Sequence, residues 1–261
     1  MSPETLRLIS TISPVEAGLV DLLANSFKQA TGHTTEITAA GTGQAMDKAR
    51  TGAFDLLLVH APQQEQAFVA AGHATGRYPL LYSDFVLLGP ESDPANIRQC
   101  SPQVALQRIA ATQSAFLSRA DGSGTHIREQ ELWQAAEVKP QGQWYRTFNE
   151  GHRGNQATLL AAEAQQAYLL MDRVSYLSLK SQLSLTLLVE QHPLLVNAMA
   201  LLPVNPERHQ PPTRHTLALA FISHCCSLPV QELIRQFRAD EMGETLFFPD
   251  SAAWHALADQ S

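Results

Sequence analysis

An α/β fold in two halves is predicted by three features of the sequence. Strand and helix patterns alternate through the first ninety residues, a Gly89-Pro90 break follows, and a second alternating run begins beyond it. Strands that alternate with helices imply parallel βαβ units.

The elements follow in order. Residues 6–10 read as a short strand, and 15–31 as an amphipathic helix ended by Gly32. Residues 34–39 form a second strand, 44–50 a helix and 56–60 a buried apolar strand. A helix over 63–71 stops at Gly72, and the strand that Gly89-Pro90 closes begins at Tyr82. The second run has a helix over 102–111, a strand over 115–118, and helices over 125–137 and 154–165. Strands over 167–170, 183–190 and 198–203 come next, and the tail is helical over 215–224 and 230–240. No internal repeat interrupts this order.

At 261 residues, 44% of them apolar, the chain is large enough to bury a core without disulfides or structural metals. A net charge of −7 argues against a general nucleic-acid or anionic-membrane surface. It does not argue against a buried anion site, which answers to local donors. No apolar run reaches the eighteen residues of a membrane span. The Met-Ser-Pro-Glu start lacks the basic and apolar regions of a secretory signal, which fits either a chain without its leader or a cytoplasmic protein. Cys100, Cys225 and Cys226 make neither a disulfide framework nor a zinc pattern, and adjacent cysteines on an apolar helix read as core.

Ligands of α/β sheets sit outside the carboxyl ends of the strands, so the segments there carry the chemistry. After the first strand comes Ser10-Thr11-Ile12-Ser13-Pro14-Val15-Glu16, where Ser13 and Glu16 have the spacing of a capping box. Thr11 and Ser10 add hydroxyl donors beside a helix start, which attracts anions. Gly41-Thr42-Gly43-Gln44-Ala45 follows the second strand and matches neither a Walker nor a dinucleotide pattern; it serves equally as a turn or an anion nest. Ser118-Arg119-Ala120-Asp121-Gly122-Ser123-Gly124-Thr125-His126 combines an arginine at a strand end, glycines and a helix start, which together favour an oxyanion. The competing reading pairs Arg119 with Asp121 to fix the loop. His126 beside Ser118, Ser123 and Asp121 invites an enzymatic reading, but no G-x-S-x-G elbow is present and a loop-bracing histidine is favoured. Asp172-Arg173 reads first as a local ion pair at a helix start.

In combination these segments resemble the solute-binding proteins of ABC-type tungstate importers. The resemblance runs through GTGQA (41–45), LLLVHAP (56–62), YSDFVLLGP (82–90), SRADGSGTH (118–126), ELW (131–133), WY (144–145), AYLLMDRVSYL (167–177) and ETLFFPD (244–250), nearly the whole chain in order. It implies a two-lobed type II periplasmic-binding-protein-like fold with two crossovers and a ligand cleft between the lobes. Lobe 1 would comprise 1–84 and 195–261, and lobe 2 residues 85–194.

The resemblance further implies that Ser10, Thr11, Thr42, Ser118, Arg119, Ser123 and Thr125 contact a tungstate or molybdate oxyanion, with Arg119 as the charged anchor. No catalytic residue, metal ligand or cofactor is implied. The expected partner is a membrane permease, the expected state a monomer, and the expected location the periplasm or the cell surface. The chain departs from the family pattern at Ile12, at Met171 and Val174, and in the Glu-Gly-His-Arg-Gly segment at 150–154, whose Glu150 and Arg153 add charge. An oxyanion-sensing regulator is the alternative function, and a hydrolase of phosphorylated small molecules using Ser118 or Ser123 with His126 is a third.

Overall fold

The computed structural model describes residues 3–258. These separate into two compact units: unit 1 holds the chain up to Tyr82 and again from Ala198, and unit 2 holds Ser83–Asn197.

Unit 1 opens with β1 (Thr5–Ser10), α1 (Ile12–Glu16), α2 (Leu19–Thr31), β2 (Thr34–Ala39), α3 (Thr42–Ala49), β3 (Leu56–Val59) and α4 (Pro62–Ala70). β4 (Tyr78–Gly89) then carries the chain into unit 2. Unit 2 contains α5 (Pro102–Thr112), β5 (Phe116–Ser118), α6 (Gly124–Ala135), β6 (Tyr145–Thr147), α7 (Asn155–Gln165), β7 (Leu169–Asp172), α8 (Arg173–Leu179) and β8 (Thr186–Val189). The chain returns through β9 (Val196–Pro203) and ends with α9 (His215–Cys225), α10 (Leu228–Gln236), α11 (Ala239–Met242), β10 (Phe248–Pro249) and α12 (Ala252–Ala258).

In unit 1 the strand order is β10-β4-β9-β3-β1-β2. β1 pairs parallel with β2 and β3, as alternating βαβ connections require, while β9 runs antiparallel to β3. β3 and most of β9 are apolar on both faces because helices cover the sheet there, whereas the edge strand β2 is polar and partly exposed. Ile9, Met46, Leu57, Phe68 and Leu202 form one fully buried cluster. In unit 2 the far half of β4 pairs antiparallel with β7 and β8. Its side chains alternate between two cores: Phe85 and Leu87 pack with Phe116 and Trp133, whereas Val86 and Leu88 pack with Leu159 and Met171. β5 and β6 form a separate parallel pair.

Three local expectations are corrected. The helix expected over 15–31 is broken into α1 and α2, because Gly18 takes a left-handed conformation with φ 84° between them. The capping box on Ser13 does not form: α1 begins at Ile12 after Thr11, so Ser13 and Pro14 lie inside its first turn. Pro14 is tolerated there because the first amides of a helix have no intrahelical acceptor. Strand β6 was not anticipated at all; its three residues pair only with the equally short β5.

Candidate functional site

In unit 1 the strand register builds one donor group. Ser10 pairs with Ala39 of β2 and Leu58 of β3, which sets three strand ends side by side. The main chain is then tied down, as the Thr11 N–H donates to the Leu58 carbonyl at 3.1 Å and the Ala40 N–H to the Ser10 carbonyl at 3.0 Å. Neither α1 nor α3 has a side-chain N-cap, so the hydroxyls near their starts are not spent on capping. Ser10, Thr11 and Thr42 are all buried, yet Ser10 Oγ, Thr11 Oγ1 and Thr42 Oγ1 have no hydrogen-bond partner. Each buried, unsatisfied hydroxyl costs about 1–3 kcal/mol, so three of them at adjoining strand ends need a reason. Other buried orphans, such as Thr35 Oγ1 near the start of β2 and Thr186 Oγ1 on β8, lie away from these strand ends.

In unit 2 the second group starts where β5 ends. Ser118 is fully buried and its Oγ accepts from the Ala120 N–H at 3.3 Å. The chain then turns through left-handed backbone at Ala120 and Gly122, and Ser123 caps α6 by accepting from the His126 N–H at 3.4 Å. Thr125 is buried in the first turn of α6.

Arg119 is buried, and its fork is largely committed. Nη1 donates to Asn155 Oδ1, while Nη2 donates to Asp121 Oδ2 at 2.5 Å and to the Gly151 carbonyl at 3.0 Å. The loop-fixing pair with Asp121 therefore forms. Only Nε, also buried, is left without a partner, and it is a donor that needs an acceptor. Burial opposes ionisation of Asp121, but Ser123 and the Arg119 charge outweigh it and hold the carboxyl below its usual range.

A supporting layer orients this arginine. Asn155, at the start of α7, passes Arg119 on to Asp172, which caps α8 by accepting from the Ser175 N–H at 2.8 Å. Gly151 must be glycine, because a Cβ there would meet the Arg119 carbonyl oxygen. The charges of Glu150 and Arg153 pair with each other on the exposed side of this segment. Met171 is wholly buried in the β4–β7 core, so the departure at that position is a matter of packing. Arg173 binds Asp84 at 2.6 Å and Glu190 at 2.7 Å, so its ion pairs reach to β4 and beyond β8.

Sequence reasoning missed Glu129. It lies on the apolar face of α6 with Thr125, Leu132 and Trp133, and Oε1 accepts from the Tyr145 hydroxyl at 2.7 Å and from Trp133 Nε1 at 3.2 Å. Burial pushes Glu129 up to about 7 against these hydrogen bonds. The signal was available: with Leu132 and Trp133 three and four residues on, helical periodicity turns this carboxyl inward.

His126 is a brace. Its Nδ1 accepts from the Gly122 N–H at 2.9 Å and its Nε2 lies 3.0 Å from the Gln130 amide. Burial holds its pKa below the usual value, and neither nitrogen is turned to Ser118 or Ser123 as a base would be.

A PBP superfamily domain matches residues 2–227. The chain is 37% identical to the tungstate-binding protein TupA of Peptoclostridium acidaminophilum, over 95% of this chain and 86% of that one. It is 35% identical to a putative ABC transporter anion-binding protein of Haloferax volcanii, over 96% of this chain and 73% of the relative. Among solved structures it is similar to the tungstate-binding protein TupA of Desulfovibrio alaskensis G20, with a TM-score of 0.86 and 35% identity over 96% of this chain and all of that one.

Proposed function

Because the chain belongs to the tungstate-binding family within the PBP superfamily, we propose that it is the solute-binding component of an ABC importer and that its cargo is the tungstate dianion. The observation that carries this reading is the set of buried, unpartnered donors: Ser10 Oγ, Thr11 Oγ1 and Thr42 Oγ1 in unit 1, and Arg119 Nε in unit 2. Each of the four is free to donate, and an anionic oxygen is the kind of acceptor that relieves such a donor. The hydroxyls of Ser118, Ser123 and Thr125 complete the proposed donor set.

The chemistry of this set restricts the anion. Arg119 is already balanced by Asp121, so the donors supply hydrogen bonds more than net charge. A lining rich in donors suits a tetrahedral dianion, but its hydroxyls can also accept the one proton of monohydrogen phosphate, so size has to distinguish the anions. Tungstate and molybdate meet the requirement, and size separates them from sulfate. The protein acts in the periplasm or at the cell surface, binds as a monomer without a cofactor, and hands the anion to a membrane permease. It performs no chemistry on its cargo.

Isothermal titration calorimetry with tungstate, molybdate, sulfate and phosphate tests the reading. Tungstate is expected to bind most tightly, molybdate next, and the smaller sulfate and phosphate most weakly. Failure of all four to bind would remove the oxyanion assignment.

A further inference from the structure

In unit 2 a single buried amide stands between a guanidinium and a carboxylate. Asn155 Oδ1 accepts from Arg119 Nη1, while Nδ2 donates to Asp172 Oδ2 and, at 3.1 Å, to the Ser175 hydroxyl. That hydroxyl donates its own hydrogen to Asp172 Oδ2 at 2.7 Å, and the other carboxylate oxygen caps α8. Arg119, Asn155 and Asp172 are all buried, so solvent does not relieve a mismatch among them. A carboxylate only accepts and a guanidinium only donates, so the amide fits between them one way round. Turned over, its NH2 would face the Arg119 fork and its oxygen would face a negative charge.

We propose that Asp172 is a positioning residue for the anion, because through the Asn155 amide it fixes the plane of the Arg119 guanidinium and the direction of its Nε–H. This rests on the reading that Arg119 Nε is one of the oxyanion donors. A guanidinium is planar, so holding two of its nitrogens aims the third. Asn155 holds Nη1, Asp121 and Gly151 hold Nη2, and Nε is the buried N–H left over. Release of Nη1 lets the group pivot about its Nη2 contacts, and Nε–H loses its aim. Asp172 thus sets the geometry of a donor from the far side of Asn155.

Calorimetric titration with tungstate, with parallel thermal melts, tests this in an exchange series. Asp172→Asn keeps the α8 cap, since asparagine caps a helix as well as aspartate does. Its NH2 stands where a carboxylate oxygen accepted, so the Asn155 amide must turn over and let go of Nη1. Tungstate affinity should fall by about tenfold or more, with little change in melting temperature. Asn155→Ala cuts the same path and should lose a similar factor, and adding Asp172→Asn to it should cost no further affinity. Asn155→Asp combined with Asp172→Asn restores these donor–acceptor matches at the same total charge. The carboxylate then accepts from Arg119 and Ser175, and the amide at 172 donates to it. Affinity should return to within about threefold of wild type. Wild-type affinity in Asp172→Asn overturns the proposal and leaves the oxyanion reading standing. So does an exchange variant that folds yet binds as weakly as Asp172→Asn alone. Wild-type affinity in Asn155→Ala overturns it as well, even where Asp172→Asn does not fold. No tungstate binding by the wild type overturns both.

Discussion

A Cβ on Gly151 would run into the carbonyl oxygen of Arg119, and the Gly151 carbonyl in turn accepts from Arg119 Nη2 at 3.0 Å. The two segments are thus held by a backbone approach that only glycine permits and by a hydrogen bond that only this approach allows. The obstacle is main chain, so no side-chain rotation relieves it. Gly151→Ala should push residues 150–154 away from the end of β5, costing about 1–3 kcal/mol of stability. Tungstate affinity should fall at least tenfold, since Asn155 at the start of α7 moves with the segment. Calorimetry and a thermal melt check this; wild-type values in both would mean the approach is dispensable.

The unpartnered hydroxyls of unit 1 give a prediction with two signs. Thr42→Val keeps the shape of a buried side chain and deletes an Oγ1 that has no partner. The ligand-free variant should melt at or above the wild-type temperature, since an unsatisfied polar group has gone. Its tungstate affinity should nevertheless drop by about 5- to 150-fold, the equivalent of about 1–3 kcal/mol. A lower melting temperature with unchanged affinity would make Thr42 a structural residue.

Arg119 separates charge from geometry. Arg119→Ala should weaken tungstate binding at least tenfold, but it also strands Asp121, Asn155 and the Gly151 carbonyl, so stability falls by on the order of 3 kcal/mol. Arg119→Lys is the cleaner variant: an ammonium still balances Asp121, while the fork and Nε are lost. A comparable affinity loss with a much smaller stability loss is expected from lysine. Wild-type affinity in Arg119→Lys would take the Nε donor out of the site.

What the sequence made legible here was local. Ser10, Thr11 and Thr42 follow strand ends whose apolar runs and neighbouring glycines can be read directly, and the SRADGSGTH loop carries its own turn and cap. The illegible parts depend on register and distance. The Arg173 partners Asp84 and Glu190 lie 89 and 17 residues away and meet it only because β4 pairs with β7 and β8. Whether Arg119 presents its fork or spends it was decided by Asn155 and Gly151, more than thirty residues on. Met171 looked like a missing donor, and strand alternation turned it into the core.

Glu129 also predicts how stability responds to pH. Its carboxyl titrates at about 7 in the folded protein against an ordinary value of 4.5. The folded state therefore keeps a proton that the unfolded chain gives up first. The contribution is fully present below about pH 4.5, is lost as pH rises toward 7, and changes little beyond, for a total of about 3 kcal/mol. Asp55 and Asp121, held below their ordinary values, act with the opposite sign and only at lower pH, outside this window. Urea unfolding at pH 5 and pH 8, followed by tryptophan fluorescence, reads the effect in unit 2, where Trp133 donates to Glu129 itself. His73, His126 and His224, held below their ordinary values by burial, act inside this window with the opposite sign in both proteins, so the effect is read as a difference: relative to Glu129→Gln, the wild type should lose stability between pH 5 and pH 8. Parallel profiles for the two proteins would mean that Glu129 stays ionised in the fold, held by the Tyr145 and Trp133 donors alone.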